Sequence, residues 1–341
     1  MTAESMSPIR EDYIRQLTPY AAFLTTLRAA GWSSSETFDL VHFSDLIHIG
    51  RLPGKTGART VTHPAFAAPF VYKGVNFDNI ARRDFREHVE KTLLHEIRTL
   101  CTLPPHPNIM PRPQILVVVP DEDRICGFLQ PVMAHDSVDE QVLRATKANA
   151  RLPLTRRAKW CYQMALAIQH AHQVAGSYHM DLKPGNMLVD GDDNVRLIDW
   201  EQSGVSMFTH PPEVAIDQEA EESAVLKNAN KKNKPPRIIY TPHEGAPRKN
   251  QKWGFPDWNV FPEWKRTCPR AAELAEVFSL GRTMWMLLEQ VEQSPDAAVW
   301  TEASKDVPAE WKAMVMRCIE RDPNDRPELD EVVAFWKKQV S

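Results

Sequence analysis

"HMDLKPGNMLVDGDDNVRLIDWEQ", His179 to Gln202, packs an unusual density of chemically active side chains into one stretch. Asp181 and Asn186 are five residues apart, and Asp199 follows Asn186 by thirteen. The intervening "MLVDGDDNVRLI" reads as strand, turn and strand, with Gly191 and Asp192–Asp193 at the tip. A hairpin returns the chain beside itself, so Asn186 and Asp199 are expected to meet around one cation. Phosphoryl transfer needs a group for the proton of the attacking hydroxyl, cations over the phosphate oxygens, and oxygen ligands for magnesium. Asp181 suits the first role, Lys183 the second, and Asn186 and Asp199 the third.

These residues resemble the catalytic motifs of the protein kinase superfamily, H-R-D-x-K-P-x-x-N followed by D-F-G. His179, Asp181, Lys183, Pro184, Asn186 and Asp199 match letter for letter. The resemblance implies a two-lobed α+β fold, with a small β-rich lobe carrying one main helix and a larger, mostly helical lobe. It implies ATP and Mg2+ as cofactors and a protein Ser/Thr hydroxyl as acceptor. Lys73 in "FVYKG" takes the position of the lysine that holds the α- and β-phosphates, and Glu96 that of its carboxylate partner. "HPNIM", His106 to Met110, corresponds to the step from that helix into the next strand. The adenine-binding hinge is expected near Gln130–Met133. "AEVFSLGRTMWMLLEQ" resembles the buried helix of the large lobe, with Glu276 where Asp is usual. "CIERDPNDRP" places Arg326 for an ion pair with a buried carboxylate below the activation segment.

The departures from the pattern are informative. In "IGRLPGKTGART" the phosphate-binding loop offers Gly50, Gly54 and Gly57 but not G-x-G-x-x-G. Gly54 and Gly57 keep the second half of the spacing, where backbone amides must approach phosphate closely. Met180 replaces an arginine that phosphorylated activation loops brace, so the site is expected not to be switched by such phosphorylation. Trp200–Glu201 replaces Phe–Gly. Trp200 fills the apolar position with more area, and Glu201 disfavours a glycine-only backbone conformation, so the tripeptide should be held in one state. The end of the activation segment is either "HPPEV", His210 to Val214, or "VFPEW", Val260 to Trp264. "IDWE" is also similar to the aminoglycoside-phosphotransferase and choline-kinase-like branch, whereas Lys183–Pro184 and "DPNDRP" are similar to the protein branch. Together "HMDLKPGN", "LIDWEQSG" and the long helix resemble a group of fungal protein-kinase-like proteins. The alternatives are a pseudokinase scaffold that binds nucleotide, and a small-molecule phosphotransferase.

The rest of the chain frames this reading. With 341 residues, 43% of them hydrophobic and 25% charged, the chain has the profile of a soluble globular protein with ample core. A formal charge of −4 gives no footprint for nucleic acid or a membrane surface. Five single cysteines, with neither CxxC spacing nor a signal peptide ahead of them, point to a reducing cytoplasmic or nuclear compartment. The order of elements divides the chain into an N-terminal extension (1–40), a small lobe (41–133) and a large lobe (134–341). Periodicity predicts one helix around Ile14–Ala29, strands in "DLIHIG", "FVYKGV", "ILVVV" and "RICGFLQPV", and an amphipathic helix from Asp84 to Thr102. Helices follow at Leu154–Val174, Leu274–Glu292, Ala309–Ile319 and Leu329–Lys338. Residues 215–252 run acidic, then basic and Asn-rich, then Pro/Gly-rich, and read as a mobile surface insertion.

Overall fold

The computed structural model describes residues 8–33, 35–51, 58–77, 83–120, 123–202, 206, 208–211, 270–292 and 297–340. They form two compact units, one of residues 1–104 and 111–132 and one of residues 105–110 and 133–341. The architecture is α+β, a sheet-based unit followed along the chain by a helical one.

The first unit is built on a six-stranded sheet. Its strands are β1 (Asp39–His42), β2 (Ile47–Arg51), β3 (Ala58–Thr62), β4 (Phe70–Gly74), β5 (Ile115–Val119) and β6 (Arg124–Pro131). They lie in the order β1-β5-β6-β4-β3-β2, antiparallel except for the β1–β5 pair. "ILVVV" is apolar at every position because both faces of β5 are covered. Ile115, Val117 and Val119 enter a core with Tyr13 and Leu17 of α1 (Pro8–Gln16) and its continuation. Leu116 and Val118 enter a second core with Phe23 and Leu27 of α2 (Tyr20–Ala29) and Leu93 and Ile97 of α3 (Arg83–Thr102).

The N-terminal segment therefore supplies cover to both faces of the sheet. The single helix expected over Ile14–Ala29 is two. Pro19 takes an extended backbone (φ −61°, ψ 141°) ahead of α2. Proline also disfavours the helical conformation of the residue before it, so the chain turns there and reaches the other face. β1 and β3 were not expected, because four- and five-residue stretches with charged and Thr positions carry no clear alternation.

The second unit contains α4 (Val138–Lys147), α5 (Leu154–Ala175), the hairpin β7 (Met187–Val189) and β8 (Val195–Leu197), α6 (Ala271–Glu289), α7 (Ala309–Cys318) and α8 (Leu329–Gln339). The expected hairpin is present, Met187 opposite Leu197 and Val189 opposite Val195. "HPNIM" docks on it: the Leu197 N–H donates to the Asn108 carbonyl (2.8 Å) and the Met110 N–H to the Leu197 carbonyl (2.9 Å). α6 is buried on all sides from Leu274 to Glu289, its polar residues Glu276, Ser279, Arg282 and Thr283 included. Among the described residues no helix is long and apolar enough to cross a membrane. The insertion at 215–252 and the Val260–Trp264 alternative lie outside the described residues.

Gly127 sits in tight packing in the first unit. A Cβ there would run into the Tyr72 ring and lie 2.8 Å from the Lys73 carbonyl oxygen. The Tyr72 hydroxyl meanwhile donates to the carbonyls of Val75 and Cys126, both at 3.0 Å. Gly127→Ala is expected to lower stability by about 1–3 kcal/mol, the usual cost of overpacking. Urea denaturation would measure it, and an unchanged midpoint would contradict this packing.

Candidate active site

The catalytic loop begins where α5 ends. Gly176 sits in the left-handed region (φ 58°), and the Ser177 N–H donates back to the Ala171 carbonyl at 3.0 Å. This is the usual way a helix C-terminus is closed by glycine. The chain then passes through Met180, also left-handed (φ 70°), to Asp181. The Met180 N–H donates to Glu276 Oε1 on α6 (2.5 Å), and Glu276 Oε2 meets the Nε2 of His172 on α5. Glu276 is buried, so one carboxylate joins α5, α6 and the loop. The Glu-for-Asp difference is thus accommodated: the longer side chain reaches the loop backbone.

Three of the sequence-selected residues come together here. Lys183 Nζ donates to Asp181 Oδ2 at 2.5 Å. Asn186 Nδ2 donates to the Asp181 carbonyl (2.9 Å) and to Oδ2 (3.0 Å). Burial pushes the Asp181 carboxyl above its ordinary range, Lys183 pulls it back, and the nearby Asp199 charge raises it again. The Asn186 amide nitrogen is turned to Asp181, and the other polar atom of its side chain is a carbonyl oxygen. That oxygen and the Asp199 carboxylate are hard donors of the kind magnesium takes, so the pair fits that ion.

Asp199 lies just beyond β8, in the left-handed region (φ 73°). Its neighbours are fixed. Trp200 is fully buried and stands edge-on to His179, with ring centroids 4.8 Å apart. His179 Nε2 lies 2.7 Å from the Ile198 carbonyl. Glu201 does not adopt the glycine-type conformation; Asp199 and Gln202 (φ 49°) do.

In the first unit, Lys73 is the penultimate residue of β4, opposite Ala58 on β3 and Phe128 on β6. Its Nζ lies 2.7 Å from Glu96 Oε2 on α3, and Glu96 is buried. Gly54 and Gly57 lie outside the described residues, while Gly50 belongs to β2. Arg326 is buried; it donates to the carbonyls of Leu274 and Glu320 (both 2.8 Å) and lies over the Phe278 ring. Glu213 and Glu263, which belong to the two candidate ends of the activation segment, lie outside the described residues.

Sequence reasoning passed over three residues of the loop's surroundings. His172 backs Glu276. Thr209 donates to the Leu182 carbonyl (2.5 Å) and accepts, through its own carbonyl, from Ser279 on α6 (2.9 Å). Gln202 is buried and ties back to residues 177–178. Thr209 and Gln202 act largely on backbone carbonyls, and His172 on a carboxylate 104 residues away, so none leaves a local pattern of side-chain types in the sequence.

Residues 61–218 match the family model for the protein kinase domain. Over 153 residues, 45% of this chain, the sequence is 31% identical to Aurora kinase B of Drosophila melanogaster, covering 43% of that protein. Over 120 residues, 34% of this chain, it is 31% identical to CBL-interacting serine/threonine-protein kinase 21 of Arabidopsis thaliana, covering 26% of it. The chain thus matches less than half the length of each relative. Motif, fold and match point the same way: over residues 61–218 the chain is similar to the protein kinase domain.

The electrostatics of the loop give a direct test. Lys183→Met removes the cation that favours ionised Asp181, so the Asp181 carboxyl should titrate at higher pH than in the wild type. A carboxyl NMR titration would show it, and a shift to lower pH would contradict the geometry.

Proposed function

We propose that this protein is an ATP- and Mg2+-dependent kinase that transfers the γ-phosphate of ATP to a Ser or Thr hydroxyl of a protein. The observation that carries this reading is the Asp181–Lys183–Asn186 cluster, with both Lys183 and Asn186 hydrogen-bonded to one carboxylate oxygen. Both relatives bear the names of protein kinases, one expressly serine/threonine. Lys183, which the small-molecule branch generally lacks, favours a protein acceptor.

In this mechanism Asp181 orients the attacking hydroxyl and receives its proton as the new oxygen–phosphorus bond forms and the bond from the γ-phosphorus to the bridging oxygen breaks, with ADP as the leaving group. Its raised carboxyl affinity for protons suits a base that must hold that proton and then release it. Lys183, already beside Asp181, turns toward the γ-phosphate and spreads its charge. Lys73, braced by Glu96, holds the α- and β-phosphates. Asn186 and Asp199 would hold the magnesium, which would supply positive charge to offset that of the phosphate oxygens. Gly54 and Gly57 supply backbone amides to the phosphates. Met180 offers no cation to a phosphorylated activation loop, so activity is expected without such phosphorylation.

Asp181→Asn keeps the shape of the side chain and removes the base. Phosphate transfer to a peptide array should fall by about 10²–10⁴-fold, the usual contribution of general base catalysis. Wild-type rates in the variant would refute the assignment. Transfer to small alcohols or amines in place of peptides would move the protein to the small-molecule branch.

A further inference from the structure

Gln202 is a polar side chain with no place in the mechanism above, yet it is buried, at 3% exposure. Its amide Nε2 donates to the Tyr178 carbonyl and, at 3.2 Å, to the Ser177 hydroxyl. Both partners belong to the turn that leads from α5 into the catalytic loop. Three residues earlier stands Asp199, and between them lies Trp200, packed on His179 of that same turn. The stretch 199–202 is therefore fastened to residues 177–179 twice, by an aromatic contact and by a side-chain amide. The fastening opposes a real tendency to relax, because Asp199 and Gln202 both hold left-handed backbones without being glycine (φ 73° and 49°).

We propose that Gln202 is a positioning residue: its amide N–H groups lock the 199–202 turn onto the head of the catalytic loop and so keep the Asp199 carboxylate at its magnesium-holding position in the unliganded protein. The proposal rests on the kinase reading for what Asp199 holds, and on the hydrogen bonds alone for the lock. With the lock in place, Mg-ATP meets a carboxylate that is already in position. Without it, part of the population must first re-form the turn, and apparent affinity falls by the fraction that is competent. Saturating Mg-ATP selects the competent state, so the maximal rate is retained.

Two variants separate hydrogen bonding from bulk. Gln202→Ala removes the side chain, whereas Gln202→Glu keeps its size and has no N–H to give. In both, the Ile198 amide, which donates to the Asn186 carbonyl at 3.0 Å just ahead of Asp199, should exchange its hydrogen roughly three- to tenfold faster in the apo protein. The Val117 amide in the sheet should keep its wild-type rate. The KM for Mg-ATP should rise several-fold while kcat stays within about twofold. Ser177→Ala, which spares the bond to Tyr178, should have a smaller effect on both quantities. Unchanged exchange at Ile198 in both variants, or faster exchange with an unchanged KM, would overturn the proposal. A fall in kcat with KM unchanged would overturn it too. If the wild type binds no Mg-ATP, the kinase reading fails, while exchange at Ile198 still decides whether the lock exists.

Discussion

The carboxylate of Glu276 is the constraint on which the rest of the second unit's site depends. A backbone N–H in a left-handed turn, buried beneath the loop, would cost about 1–3 kcal/mol if left without an acceptor. Glu276 supplies that acceptor to Met180 from a helix that is itself surrounded by core. His172 holds the other oxygen, so the carboxylate cannot rotate away from the loop without losing that partner. Asp181 is the next residue along. Its position follows from a hydrogen bond made to the residue before it, on the side of the loop away from the chemistry.

The same economy of anchoring recurs around Asp199. β8 carries the chain to Ile198, whose carbonyl faces His179, and whose own N–H is spent on Asn186. Trp200 then fills the space beside His179 that a smaller aromatic ring would leave partly empty. Substitutions that look like damage in the sequence, Met180 and Trp200–Glu201, fall at positions that pack and hold. The groups suited to hydroxyl, phosphate and metal keep their identity. On the proposed reading, these features favour a site held in one arrangement over one that switches.

Much of this was legible in the sequence, and the reasons are physical. Asp181, Lys183 and Asn186 could be found because phosphoryl transfer requires particular functional groups at fixed spacing, and the hairpin could be found because turn chemistry does. Lys73 and Glu96 were legible only through motif, since a lysine on a strand and a glutamate on a helix are ordinary in themselves. The uninterrupted apolar run of β5 signalled a strand but could not say that α1 and α2 cover it. That depends on where Pro19 breaks the N-terminal helix. His172, Thr209 and Gln202 were invisible, because their partners are main-chain carbonyls or a carboxylate about a hundred residues away.

The central claim is that the protein binds ATP with magnesium, and a ligand that binds only the folded state must stabilise it. The most direct measurement is the thermal unfolding midpoint of the full chain titrated with ATP in the presence and absence of magnesium. The account predicts a midpoint that rises with ATP concentration, more steeply with magnesium, and that loses the magnesium-dependent part in Asp199→Asn. A midpoint that stays flat up to millimolar ATP with magnesium would contradict it.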